Sequence, residues 1–242
     1  MNKRLILEKT YDKSRSRAPK LTVVLIHGIA SDSGTYKGLL RYLEKDARFK
    51  KARFVTFDLL GSGKSLKDDN LNYDYNDQIE ALHNSIIDLE MTTPLVLVGH
   101  SLGTFIVTKY AAIYKNAVSH LILVSPPIYT LTDMENPAFA LGIKAFENAV
   151  SVKSRDILKE KSFRNSMEKI VLNKKNYQTL VDTKTPTTLI YGDADQLIAS
   201  YNVPKLLKEN SNISAIKTIG RHGVSRDKYS KIAGTLEGVL SA

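Results

Sequence analysis

Six short apolar runs recur along the chain, and amphipathic helical patterns lie between them. The runs are residues 21–26, 54–57, 95–98, 121–124, 188–191 and 213–219. The first four are near-continuous Val, Ile and Leu, as parallel strands covered on both faces require. The last, interrupted by Lys217 and Thr218, reads as nearer an edge. Between the runs, Tyr36, Leu39, Leu40 and Leu43 repeat at i, i+3, i+4 and i+7, and Tyr75, Ile79, Leu82, Ile86 and Leu89 step by 4, 3, 4 and 3. Tyr229, Ile232, Leu236, Val239 and Leu240 form a C-terminal amphipathic pattern. Strands alternating with helices predict an α/β chain with a doubly wound, mostly parallel sheet. Residues 4–8 and 13–20 read as one or two edge strands joined by a polar turn.

The alternation fails between about Ile128 and Asp182. That stretch holds Asn136-Pro137 and helical runs around 139–150 and 157–172, with no strand pattern. Residues 128–183 are therefore read as a helical lid inserted into a core formed by residues 1–127 and 184–242. At 242 residues the chain suits one well-buried core. It contains no cysteine, no apolar run long enough to span a membrane and no secretory leader pattern, so a cytoplasmic location is the expectation.

The charge is unusual: 35 Lys and Arg against 25 Asp and Glu, a net +10. Residues 1–20 carry +5 and residues 144–184 another +5, leaving the remainder neutral. Neither segment interleaves basic and aromatic residues as an RNA-binding sheet does, or shows zinc-finger spacing, so nucleic acid is not an expected partner. Two solvated faces are the plain reading of the charge. An anionic substrate or surface is the alternative.

The strongest chemical signal is Gly99-His100-Ser101-Leu102-Gly103. It follows the run at 95–98 and precedes a segment, residues 102–114, able to form a helix. This is G-x-S-x-G in strand–turn–helix context, which lifts a serine Oγ clear of the sheet at a helix N-terminus. A serine needs a base, itself oriented by a third group. Of the five histidines, His27 lies in a turn, His83 on a helix, His100 inside the pentapeptide and His120 at a strand start. Only His222, in Gly220-Arg221-His222-Gly223, combines a loop beyond a strand with the chain order Ser, Asp, His. Asp193 and Asp195, beyond the run at 188–191, could each orient it.

These motifs resemble the α/β-hydrolase fold, in its lidded, single-domain serine hydrolase form. The likeness also takes in Leu25-Ile26-His27-Gly28-Ile29, the D-x-x-G-x-G-x-S turn from Asp58 to Ser65, and Val124-Ser125-Pro126-Pro127. The resemblance implies an acid in G-x-x-D, hence Asp195 rather than Asp193. It also implies an oxyanion hole from the backbone N–H groups of Ile29 and Leu102. Thr104 departs from the third small glycine of many relatives. Serine as nucleophile disfavours epoxide hydrolase and dehalogenase chemistry.

Gly61-Ser62-Gly63-Lys64-Ser65 contains the G-K-S of a phosphate loop, but that motif needs glycine where Asp58 stands. The histidines lack metal-ligand spacing, so neither metal nor cofactor is expected. The resulting expectation is a carboxylic ester hydrolase using Ser101, His222 and Asp195 on a small-molecule substrate. Ile128, Tyr129, Leu131, Phe139, Leu141 and Phe146 are candidates for the acyl-group wall. The alternatives are a lipid hydrolase or thioesterase steered by positive charge to an anionic surface or carrier, and a ligand-binding relative with little turnover.

Overall fold

The computed structural model describes residues 4–153 and 160–241. Seven strands form one sheet: β1 (Glu8–Ser14), β2 (Leu21–Ile26), β3 (Ala52–Asp58), β4 (Leu95–His100), β5 (His120–Val124), β6 (Thr187–Gly192) and β7 (Ile213–Thr218). Their order is β1-β3-β2-β4-β5-β6-β7, with β1 antiparallel to β3 and every other pairing parallel. β2 and β4 are buried along their whole length, whereas β7, at an edge, is buried only at its two ends.

Five helices belong to the alternating core: α1 (Lys37–Lys45), α2 (Tyr75–Ile87), α3 (Leu102–Ile113), and, numbered after the four helices of the insertion, α8 (Val203–Glu209) and α9 (Arg226–Ser241). Because strand side chains alternate, each strand feeds two cores. Val23, Leu25, Val96 and Val98 pack with Leu39 and Leu43 of α1 and Leu236 of α9. Val24, Ile26, Leu97 and Leu123 pack on the opposite face with Leu82 of α2, Ile106 of α3 and Leu206 of α8.

Between β5 and β6 lie α4 (Leu131–Met134), α5 (Pro137–Lys153), α6 (Glu160–Ser166), a π turn (Met167–Val171) and α7 (Asn176–Val181). The two halves of this insertion differ. Met167, Ile170, Val171 and Leu180 join the same apolar cluster as α3, so the second half is continuous with the core. In the first half Leu131 is 51% exposed and Leu141 70%. Thr130 caps α4 in a reciprocal box with Asp133. Asp133 then accepts from Tyr201 Oη at 2.5 Å and Asn202 Nδ2 at 2.7 Å, tying α4 to the segment after β6.

Two details depart from the sequence reading, and a third falls partly outside the described residues. The edge element, expected as one or two strands over residues 4–8 and 13–20, is one strand at Glu8–Ser14, and residues 4–7 run instead along α2, where Arg4 pairs with Asp88 at 2.7 Å. The helical run expected over residues 157–172 is helical from Glu160 to Val171, and Ile157, its expected start, lies outside the described residues. The short helices α7 and α8 carry too few turns to register as a periodic pattern in the sequence. Among the described residues no helix is long and apolar enough to cross a membrane.

Candidate active site

The parallel strands end together. Ile26 is in register with Gly99, His100 with Val124, and Gly192 with Thr218. The loops after β2, β4, β5, β6 and β7 therefore meet at one edge of the sheet, as ligand sites of open α/β sheets do. Ser101 lies between β4 and α3 with φ +51° and ψ −119°. A side-chain-bearing residue there costs about 1–3 kcal/mol and must be held by its surroundings. Here its N–H donates to Val124 O at 3.0 Å, and Thr104 Oγ1 donates to its carbonyl at 2.6 Å. The flanking glycines admit no side chain. A Cβ on Gly99 would stand 2.6 Å from Gly103 O, and one on Gly103 would stand 2.3 Å from Ile26 O. Thr104 is fully buried and uses its hydroxyl to hold the turn.

His222 lies in the loop between β7 and α9. Its Nδ1 is 2.9 Å and 3.1 Å from the two carboxylate oxygens of Asp195, whose side chain is wholly buried. Burial pushes the Asp195 carboxyl up, but the His222 hydrogen bond and charge, the Leu197 N–H and the Ser125 hydroxyl outweigh it and hold the group below its usual range. The carboxylate acceptor fixes the proton of a neutral His222 on Nδ1, which leaves Nε2 free to accept. Asp193 faces elsewhere, 3.5 Å from Lys217 Nζ.

Ser101 and His222 line one cavity of about 380 Å³, together with Ile29, Tyr129, Phe139, Gly142, Ile143, Phe146, Met167 and Leu197. The wall is largely apolar. Tyr129 and Phe139 meet edge to face at 4.7 Å, and Tyr129 Oη donates to Leu197 O at 2.5 Å. Leu102 is the first residue of α3, where a backbone N–H has no acceptor inside its own helix. The loop carrying Ile29 lies against Ser101: a Cβ on Gly28 would stand 3.0 Å from Ser101 Cβ.

Three of the expected wall residues are placed elsewhere. Ile128 is fully buried in the core beside α3 and does not border the cavity, because the chain turns inward after Pro127. Leu131 and Leu141 face outward from α4 and α5. Sequence reasoning missed the supports behind the site. His100 donates from Nε2 to His222 O at 2.8 Å, and burial drives its pKa down to about 3. Lys228 is completely buried and donates to Ser125 Oγ at 3.0 Å. Nothing in the spacing of a lysine within a terminal helix announces that placement. Among the described residues no cluster of acidic, histidine or cysteine side chains could hold a metal ion.

Comparison with known proteins agrees with this fold. "Probable lysophospholipase BODYGUARD 2" of Arabidopsis thaliana is 28% identical over 137 residues, 57% of this chain but 29% of that protein. A "(Lyso)-N-acylphosphatidylethanolamine lipase" of Bos taurus is 33% identical over 119 residues, 46% of this chain and 31% of that protein. The match thus spans under a third of either relative. An esterase from Exiguobacterium antarcticum has the same fold, with a TM-score of 0.72 at 17% identity over 98% of this chain and 99% of that one. The family model described as "alpha/beta hydrolase fold" matches residues 22–156, and the chain belongs to that family.

Proposed function

We propose that this chain is a serine hydrolase that cleaves a carboxylic ester bearing a small or medium apolar acyl group. The carrying observation is that a strained, fixed Ser101 and a His222 oriented by Asp195 share one largely apolar cavity. In this reading Ser101 Oγ attacks the acyl carbonyl while His222 Nε2 takes its proton. The N–H groups of Ile29 and Leu102 stabilise the negative oxygen of the tetrahedral intermediate. The imidazolium, held by Asp195, then gives that proton to the leaving alkoxide, and the acyl group stays on Ser101. A water molecule, deprotonated by Nε2, attacks the acyl-enzyme; the acid leaves and Ser101 regains its proton.

Tyr129, Phe139 and Phe146 form the acyl wall, and of the expected lid, residues 128–183, the part over 129–153 covers the cavity. A cavity of about 380 Å³ lies toward the small end for ligand sites, which favours acyl groups of limited length. A lysophospholipid or related lipid ester is the second reading. It is favoured by the exposed Leu131, Leu141 and Tyr201 and by the names of the two relatives. Steering by positive charge finds less support. Residues 131–150 carry only Lys144 against Asp133, Glu135 and Glu147, and the excess comes later in the insertion.

A p-nitrophenyl ester series of rising acyl length tests the proposal, with lysophosphatidylcholine as the lipid arm. Turnover that peaks at short or medium acyl groups and falls at least about 10³-fold in Ser101→Ala is expected. Equal turnover by Ser101→Ala would remove the proposed nucleophile, and hydrolysis of the lysolipid alone would replace the substrate assignment with the second reading.

A further inference from the structure

We propose that Lys228 is a positioning residue for the His222–Asp195 pair: its buried ammonium fixes the histidine loop and opposes protonation of the ring. The inference rests on the reading of Ser101, His222 and Asp195 as a catalytic triad.

Lysine is among the residues least often found fully buried without a paired charge. Lys228, in the first turn of α9, is 0% exposed. All its donated hydrogen bonds go to neutral oxygens: Ser125 Oγ at 3.0 Å, Gly223 O at 2.8 Å and Arg221 O. The last two carbonyls bracket His222, and the carbonyl of His222 itself accepts from His100 at 2.8 Å. Three consecutive carbonyls of a loop outside regular secondary structure are thus held by two buried side chains. No other part of this loop needs so much fixing, since His222 is the residue whose ring must meet Ser101.

The second link runs through Ser125. This residue follows β5 at φ +50° and is fully buried. Its Oγ accepts from Lys228, and its own hydrogen goes to Asp195, which in turn accepts from His222 Nδ1. Ammonium, hydroxyl and carboxylate form a buried chain that ends on the partly exposed His222 imidazole. The positive end favours the ionised Asp195 and disfavours a second positive charge on His222. The groups facing this chain are Asp227, which acts on Lys228 as Asp195 does, His100, whose proton affinity the charges of His222 and Lys228 lower and that of Asp195 raises, and Tyr129, which feels Asp195. Burial draws the Lys228 pKa downward, and the two aspartates partly offset it.

The test compares wild type, Lys228→Met and Lys228→Gln by NMR titration of the His222 ring and by the pH dependence of kcat/KM. Lys228→Gln keeps an N–H donor and removes only the charge, so it serves where the methionine variant does not fold. In either variant the acid limb of kcat/KM and the midpoint of the ring titration are expected to move to higher pH than in wild type. kcat falls about tenfold or more while KM stays within about twofold, because Lys228 does not border the cavity. A His222 titration that matches wild type, with loss confined to thermal stability, would make Lys228 a structural residue and overturn the proposal. The NMR readout needs no turnover. A protein without esterase activity would therefore count against the triad reading while still deciding this one.

Discussion

Replacing Asp195 with asparagine removes one charge and almost no volume, so the effect is set by the groups that surround the carboxylate. It receives donors from three directions: His222 Nδ1 at 2.9 Å, Leu197 N–H at 3.0 Å and the Ser125 hydroxyl. An asparagine side chain offers one acceptor oxygen and two N–H donors. Its oxygen can satisfy the Leu197 N–H or the Ser125 hydroxyl, and the amide nitrogen then faces His222. A ring whose Nδ1 meets a donor must carry its proton on Nε2, where it cannot accept from Ser101. The expected cost is about 10³–10⁴ in kcat, or about 4–5 kcal/mol at roughly 1.4 kcal/mol per decade. Stability changes little beside this, because the side chain is isosteric. The assay is steady-state hydrolysis of a short p-nitrophenyl ester from pH 6 to 10, with thermal unfolding as control. A loss below about tenfold in a folded variant would refute the role given to Asp195 and the tautomer argument with it.

The same geometry sets three further outcomes. Gly103→Ala puts a Cβ 2.3 Å from a carbonyl oxygen of β2; unfolding in urea should show a loss of about 2–3 kcal/mol, with activity reduced about 10²-fold. Gly142 borders the cavity from α5 with nothing within 4 Å of a Cβ. Gly142→Phe should therefore lower kcat/KM for octanoyl relative to acetyl esters by about tenfold or more, and an unchanged chain-length profile would place the acyl group elsewhere. His100 stays neutral down to about pH 3 in the folded chain, chiefly through burial. A histidine whose folded pKa is depressed contributes stability above its unfolded pKa and loses it as pH falls. Between pH 6.5 and pH 4 that amounts to about 3 kcal/mol, so denaturation midpoints in His100→Gln should fall less steeply over that interval than in wild type.

The sheet was legible because buried parallel strands need unbroken apolar runs: residues 21–26 and 95–98 read as strands and lie in the centre of the order. The elbow was legible for a steric reason, since no other residue fits where Gly99 and Gly103 stand. The pairing of His222 with Asp195 rather than Asp193 came from the resemblance and not from spacing. In the structure the choice turns on burial, with Asp195 enclosed and Asp193 at an exposed ion pair. The wall of the cavity was less legible. Apolar residues on the insertion divide among cavity (Phe139, Phe146), core (Ile128) and solvent (Leu131, Leu141), and hydrophobicity is the same in all three places. Lys228 and His100 were illegible as supports because, apart from Ser125 Oγ, their partners are backbone carbonyls, which every residue carries.

The central claim is that Ser101 forms a covalent acyl-enzyme with His222 as its base. The most direct measurement is mass spectrometry of the chain after reaction with a fluorophosphonate probe, combined with peptide mapping. The account predicts one adduct per chain, on Ser101, absent from Ser101→Ala and slowed about 10³-fold or more in His222→Gln. An unlabelled wild type, or an adduct at another residue that persists in Ser101→Ala, would contradict it.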